Sequence, residues 1–89
     1  MAYTVTHIRK GLLIKKAKKY REAIAVYEKA HMADPRQLFV MNAIGNCHDR
    51  LGECKKAAEW YQKSLDTDMN QPHVHDYLNA AKRNAETLK

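Results

Sequence analysis

A recurrence at one spacing constrains this chain more than its composition does. Gly11 and Gly45, Ala23 and Ala57, Tyr27 and Tyr61, Lys29 and Lys63, Asp34 and Asp68, and Gln37 and Gln71 form six identical pairs, each 34 residues apart. Ordinary composition would give residues 4–37 and 38–71 roughly two identities, so the recurrence marks a duplicated structural unit. Most of the paired residues are small or aromatic. Stacked helix pairs need that combination, because a close crossing requires a missing side chain and a ring to fill the gap beside it. Gly11 and Gly45 supply the missing side chains on one helix, and Ala23 and Ala57 on the next. Tyr27 and Tyr61 follow four residues later, one turn along the same face.

Hydrophobic spacing divides the chain into five helices and predicts an all-α fold. Val5, Ile8 and Leu12 stripe a first helix over 4–17, with Gly11 and Ile14 toward its partner. Tyr20, Ala23, Ile24, Tyr27 and Ala30 mark a second over 20–33, stopped by Asp34 and Pro35. A third, over 37–51, places Met41, Ile44, His48 and Leu51 on one face and ends at Gly52, which suits a left-handed terminal position. A fourth, over 54–67, turns Cys54, Ala57, Ala58, Tyr61 and Leu65 inward and leaves Trp60 at the boundary. After a connector over 66–72, a fifth helix carries Val74, Tyr77, Leu78, Ala81 and Ala85 inward and polar residues outward. That arrangement closes the apolar end of a stack. The expected organisation is one domain, 1–89, made of a repeat over 4–37, a repeat over 38–71 and a capping helix over 72–89.

In the first unit Gly11, Tyr20, Ala23, Tyr27, Ala30 and Pro35 occupy signature positions, and in the second Ile44, Gly45, Gly52, Ala57 and Tyr61 do. With these residues the chain resembles the tetratricopeptide repeat family, whose unit is a helix, a short turn and an antiparallel helix. The resemblance implies a short right-handed solenoid and assigns Gly11, Tyr20, Ala23, Tyr27, Ala30, Pro35, Ile44, Gly45, Ala57 and Tyr61 to its structural core. The chain departs from the pattern at His7 and Met41 in place of an early tryptophan, Lys10 for a leucine, Ser64 for an alanine and Met69 for the closing proline.

A chain of 89 residues makes one domain at most and buries only about 60 to 65% of its unfolded surface, which leaves little room for a deep enclosed active site. No apolar run approaches the roughly 20 residues of a bilayer crossing. The start, MAYTVTHIRKGLLIKKAKK, lacks a continuous apolar stretch, so a cytoplasmic location is the default expectation. Cys47 and Cys54 do not make a disulfide framework and are expected as reduced, structural thiols. The net charge of +6 is uneven: Arg9, Lys10, Lys15, Lys16, Lys18, Lys19 and Arg21 follow one another with no acidic residue between them. Such a stretch either draws an anionic partner or is simply a solvated lysine-rich helix end and turn.

The sequence offers no catalytic constellation. No glycine-rich phosphate loop, zinc spacing or serine-centred elbow is present, so the chain reads as non-enzymatic and cofactor-free. His73 and His75 point about 200° apart on a helix and cannot share a metal from one face. His48, beside Cys47 and Asp49, reads as a packed or edge histidine. The aromatic residues mostly occupy repeat-packing positions, which argues against nucleic-acid binding.

The resemblance implies a protein-binding adaptor, since the first helix of each unit lines a concave wall that holds an extended peptide. The wall residues it implies are Val5, Ile8, Leu12 and Lys15, then Phe39, Asn42, Asn46, Asp49 and Arg50, then His73, Asp76 and Arg83. Asn42 and Asn46 lie one turn apart, and their amides suit a peptide backbone; equally, they suit a solvated helix surface. Phe39 with Ile8 would be the apolar anchor or packing between first helices. Lys15, Lys16 and Lys19 would draw an acidic stretch. Some family members clamp chaperone carboxyl tails with lysines, an arginine and asparagines. The matching places here hold Ile8, Leu12, Ala43, His73 and Tyr77, so that clamp is not expected. Self-association into a homodimer is the alternative, with His7 and Lys10 making the first helix wetter than an internal one.

Overall fold

Four helices account for the residues described in the computed structural model, 19–87: α1 (Tyr20–Ala33), α2 (Leu38–Arg50), α3 (Cys54–Thr67) and α4 (Pro72–Thr87). Among the described residues there is no strand. The expected helix over 4–17, and with it Gly11, lies outside the described residues, so four helices stand where five were expected. The connector after α3 is shorter than the expected 66–72, because α3 runs on to Thr67.

Local chemistry explains where the helices stop. The Asp34 N–H still bonds to the Ala30 carbonyl at 3.0 Å, and Pro35, in the exposed turn that follows, cannot continue the ladder. Gly52 takes φ +78°, the left-handed conformation that favours glycine, and the Glu53 N–H then reaches back to the His48 carbonyl at 2.9 Å. Glu86 stands 34 residues after Gly52. With no glycine there, α4 continues through that position to Thr87 instead of turning.

The helices pack in sequence, α1 on α2, α2 on α3 and α3 on α4. Ala23, Ile24, Tyr27 and Ala30 of α1 bury against Val40, Ala43, Ile44 and Cys47 of α2, while Ala57, Tyr61 and Leu65 of α3 bury against Val74, Leu78 and Ala81 of α4. Helices α2 and α3 approach closely at Gly45. A Cβ on Gly45 would lie 2.6 Å from Cε1 and 2.8 Å from Cδ1 of the Tyr61 ring, so only glycine lets the ring lie there.

Five features differ from, or extend, the sequence reading. Pro35 is exposed and serves by ending α1, not by packing; Tyr20 is half-buried against the first cluster. Tyr77, expected inward, is 42% exposed. Met41, in the tryptophan place, is completely buried. Both cysteines are buried thiols.

Candidate functional site

The buried Tyr61 ring of α3 touches both α2 and α4. The Tyr61 hydroxyl donates to Asn46 Oδ1 of α2 at 3.2 Å, and its ring lies 5.7 Å from the Tyr77 ring of α4. Tyr77 in turn meets His73 edge-on at 5.8 Å. Burial pushes the Tyr61 phenol pKa up, and the charges of Asp49 and then Tyr77 and Cys47 add to that; Arg50 acts the other way. Asp49 and Arg50 therefore lie within electrostatic reach of the same hydroxyl.

A second polar centre ties α2 to the connector before α4. Gln71 is buried, its Nε2 donating to the Asp68 carbonyl at 2.7 Å and the Ser64 carbonyl at 3.2 Å, while its Oε1 accepts from Asn42 Nδ2 at 3.0 Å. A buried amide must be satisfied in this way or cost free energy. Ser64, where the family pattern has alanine, puts a hydroxyl beside this amide. Asn42 and Asn46, expected on the groove wall, are thus half-buried structural ties. The Gln37 and Gln71 identity was visible in the sequence, but the partners of Gln71 were not, because Asn42 and Ser64 break the repeat.

Two rings stand half open above these ties. Phe39 of α2 is 46% exposed and meets Tyr27 edge-on at 6.4 Å, as Tyr77 of α4 leans on Tyr61. Tyr27 and Tyr61 are equivalent in the repeat, although Phe39 itself corresponds to His73 and Tyr77 to Ala43. A tetratricopeptide repeat family model matches residues 4–70. The chain belongs to the tetratricopeptide repeat family. Among curated proteins, none matches it. Repeats of this family are typically interaction modules; Phe39 lies within the matched residues and Tyr77 on the helix that follows them.

The other site residues of this tetratricopeptide repeat protein are placed as follows. Arg50 and His73 are exposed; Asp76 is exposed too, and shares its stripe of α4 with Asn79, Lys82 and Arg83 around a shallow depression of about 570 Å³. Ile8, Leu12 and Lys15 lie outside the described residues, as do Arg9, Lys10, Lys16 and Lys18 of the basic stretch. Lys19 is exposed just before α1. Arg21, counted in that stretch, is engaged by Glu53 at 3.3 Å. Residues 19–87 hold ten basic and ten acidic residues, and the excess positive charge belongs to Arg9, Lys10, Lys15, Lys16, Lys18 and Lys89.

Glu53 is a junction that the sequence did not disclose. Its carboxylate accepts from His48 Nδ1 at 2.9 Å and from Arg21, with Lys56 at 4.0 Å, which joins α1 to the turn between α2 and α3. The His48 hydrogen bond is the main reason its pKa lies below the ordinary carboxylate value, with Arg21 and Lys56 helping. Among the described residues no three His, Cys, Asp or Glu side chains are grouped to hold a metal ion, and no helix is long and apolar enough to cross a membrane.

Proposed function

We propose that the chain is a non-enzymatic adaptor, one domain of two repeats and a capping helix arranged as a right-handed solenoid, that binds an extended segment of another protein along the concave side formed by its first helices. The observation that carries this reading is the pair of half-open rings, Phe39 and Tyr77, each leaning on an equivalent repeat tyrosine and flanking Asn42 and Asn46. Large apolar groups on a polar-rimmed surface are the anchors of protein interfaces. The remaining amide hydrogens of Asn46 supply a donor for a peptide carbonyl. Arg50 stands exposed beside it, Ile8 and Leu12 extend the wall by family register, and Lys15, Lys16 and Lys19 attract an acidic stretch toward the first unit. The chaperone-tail clamp has no basis here, since Ala43 is buried and His73 and Tyr77 pack on each other.

Peptides selected from a random display library on the full chain test the reading. Arg50→Ala and Asn46→Asp are expected to weaken their binding several-fold while the melting temperature stays close to the parent. Asn46→Asp keeps an acceptor for Tyr61 but exchanges the amide donor for a carboxylate charge, so its effect counts only together with that of Arg50→Ala. Peptides that bind both variants as well as the parent would place the docking surface elsewhere.

A further inference from the structure

Helix α3 fills the groove between α1 and α2. Its Trp60 leans on the apolar cluster that contains Ile24 and Ile44 and meets His31 edge-on at 5.0 Å, and its Tyr61 lies over Gly45. Glu53, the residue before α3, is held by Arg21 at 3.3 Å and by His48 at 2.9 Å. One repeat later a second groove runs between α3 and α4, lined by Ala58, Gln62, Asp66, Leu78 and Lys82 around a volume of about 390 Å³. In the 34-residue register Ala58 takes the place of Ile24, Leu78 that of Ile44 and Lys82 that of His48. Ile24 and Ile44 are covered, whereas Gln62, Asp66 and Lys82 are exposed, and no described helix follows α4 to lie over them.

Charge repeats together with shape. Arg21 and His48, the two side chains that converge on Glu53, have Lys55 and Lys82 in the corresponding places. Both lysines are exposed, and neither is in the ion pairs formed among the described residues. Lys55 lies on the stripe of α3 that carries Gln62 and Asp66. The residue 34 after Glu53 is Thr87, which is still within α4, so no acidic residue stands in that place. A helix start favours a carboxylate, which caps its free N–H groups and meets the positive end of its dipole. From this correspondence we infer that the α3–α4 groove receives an amphipathic helix of a partner protein, which enters with an acidic residue between Lys55 and Lys82. An apolar side chain seven residues on packs over Ala58 and Leu78, as Trp60 does seven residues after Glu53. The next residue is small: Tyr61 needs glycine at 45, where a Cβ would lie 2.6 Å from the ring, and α4 has Asn79 in that place. These demands point away from a second copy of the chain. Lys19, Gln37, Glu53 and Gln71 precede the four described helices, so only α3 starts after an acidic residue, and its Tyr61 would meet Asn79. The groove shares no residue with Phe39, Asn46, Arg50 or Tyr77, and the inference stands independently of the docking side proposed above.

A displayed library of helix-stabilised peptides of α3's length, selected on the full chain, tests this, with affinity read by fluorescence anisotropy. Binders are expected to carry an acidic residue at their start and a small residue eight positions later. Lys82→Glu is expected to weaken them several-fold, and changing their acidic residue to lysine to restore binding to Lys82→Glu while weakening it on the parent. Ala58→Arg, which fills the groove, is expected to abolish binding, and Arg50→Ala to leave it unchanged. Should Ala58→Arg melt below the parent, Lys82→Glu and Lys55→Glu, at exposed positions, carry the test. No helical binder, or binders indifferent to both lysine variants, overturns the groove and leaves the concave side standing. A concentration-dependent dimer in light scattering that Lys82→Glu dissociates assigns the groove to a second copy and overturns the partner helix.

Discussion

Tyr61 and Tyr27 occupy the same place in their repeats, yet their hydroxyls meet different fates. The Tyr61 hydroxyl has Asn46, whereas the residue 34 positions earlier is Leu12; the buried Tyr27 hydroxyl has no hydrogen-bond partner among the described residues. Gln71 has Asn42 and Ser64, whereas the earlier places hold Ile8 and Ala30, and Gln37 Oε1 has no partner among the described residues. Polar replacements in the second unit thus satisfy polar atoms that the first leaves idle. Tyr61→Phe should therefore cost about 0.5 to 1.5 kcal/mol, while Tyr27→Phe, which removes an unsatisfied buried group, should be neutral or stabilising. Urea titrations of the two variants check this, and equal losses would show that the two hydroxyls are equivalent after all. Truncating either ring to alanine removes a completely buried side chain and should cost about 3 to 5 kcal/mol, a large share of what so small a domain possesses. Gly45→Ala drives a methyl into the Tyr61 ring, and the ring is held at its hydroxyl by Asn46 and on its flank by Tyr77. A loss of about 1 to 3 kcal/mol is expected in thermal melts, and a variant as stable as the parent would show that the ring has room to move.

At the scale of elements, the helix boundaries and buried faces were legible because each follows from a local rule. Asp34 and Pro35 stop α1, Gly52 turns α2 into α3, and the alanine and tyrosine spacing marks what is buried. Contacts between side chains far apart in sequence were not legible. Nothing in the sequence around Glu53 tells that Arg21, 32 residues earlier, reaches it, and nothing around Asn42 tells that Gln71 does. Tyr77 was misjudged for a related reason: helical periodicity identifies a face but not whether a later helix covers it, and α4 is the last described helix. The Glu53 junction has a consequence for pH. Because folding lowers its pKa, the folded state binds fewer protons than the unfolded chain as the carboxyl begins to titrate. The stability it contributes is present above its ordinary value of 4.5 and is lost as pH falls through the lower folded value. His31 acts earlier in the same direction. Its ring, edge-on to Trp60 at 5.0 Å, has its pKa lowered from 6.5 by burial and then by Lys63, partly offset by Glu28, so acidification below 6.5 already weakens the fold. Melting temperature followed from pH 7 downward should decline in both ranges. Glu53→Gln should flatten the lower one and leave the upper one in place; an unchanged profile would separate Glu53 from acid stability.

For the whole molecule, the sequence carried the family, but only part of how the proposed docking side is built. Both asparagines proposed for the groove are also fastened into the structure, Asn42 to the amide that anchors the α3–α4 connector and Asn46 to the repeat tyrosine. The wall is therefore pre-shaped by the same residues that offer it hydrogen bonds, which lowers the ordering cost of binding. Net charge is divided just as unevenly. The body over 19–87 is balanced, and the excess lies at residues 9–18 and Lys89, so raising salt should slow association of an acidic partner more than it speeds dissociation. The most direct test of the docking surface is an amide shift map of the isotope-labelled full chain titrated with a display-selected peptide. The account predicts that perturbed amides gather on α2 and α4 around Phe39, Asn46, Asp49 and Tyr77. Perturbations confined to the opposite side of the array, around Val26 and Trp60 of α1 and α3, would contradict it.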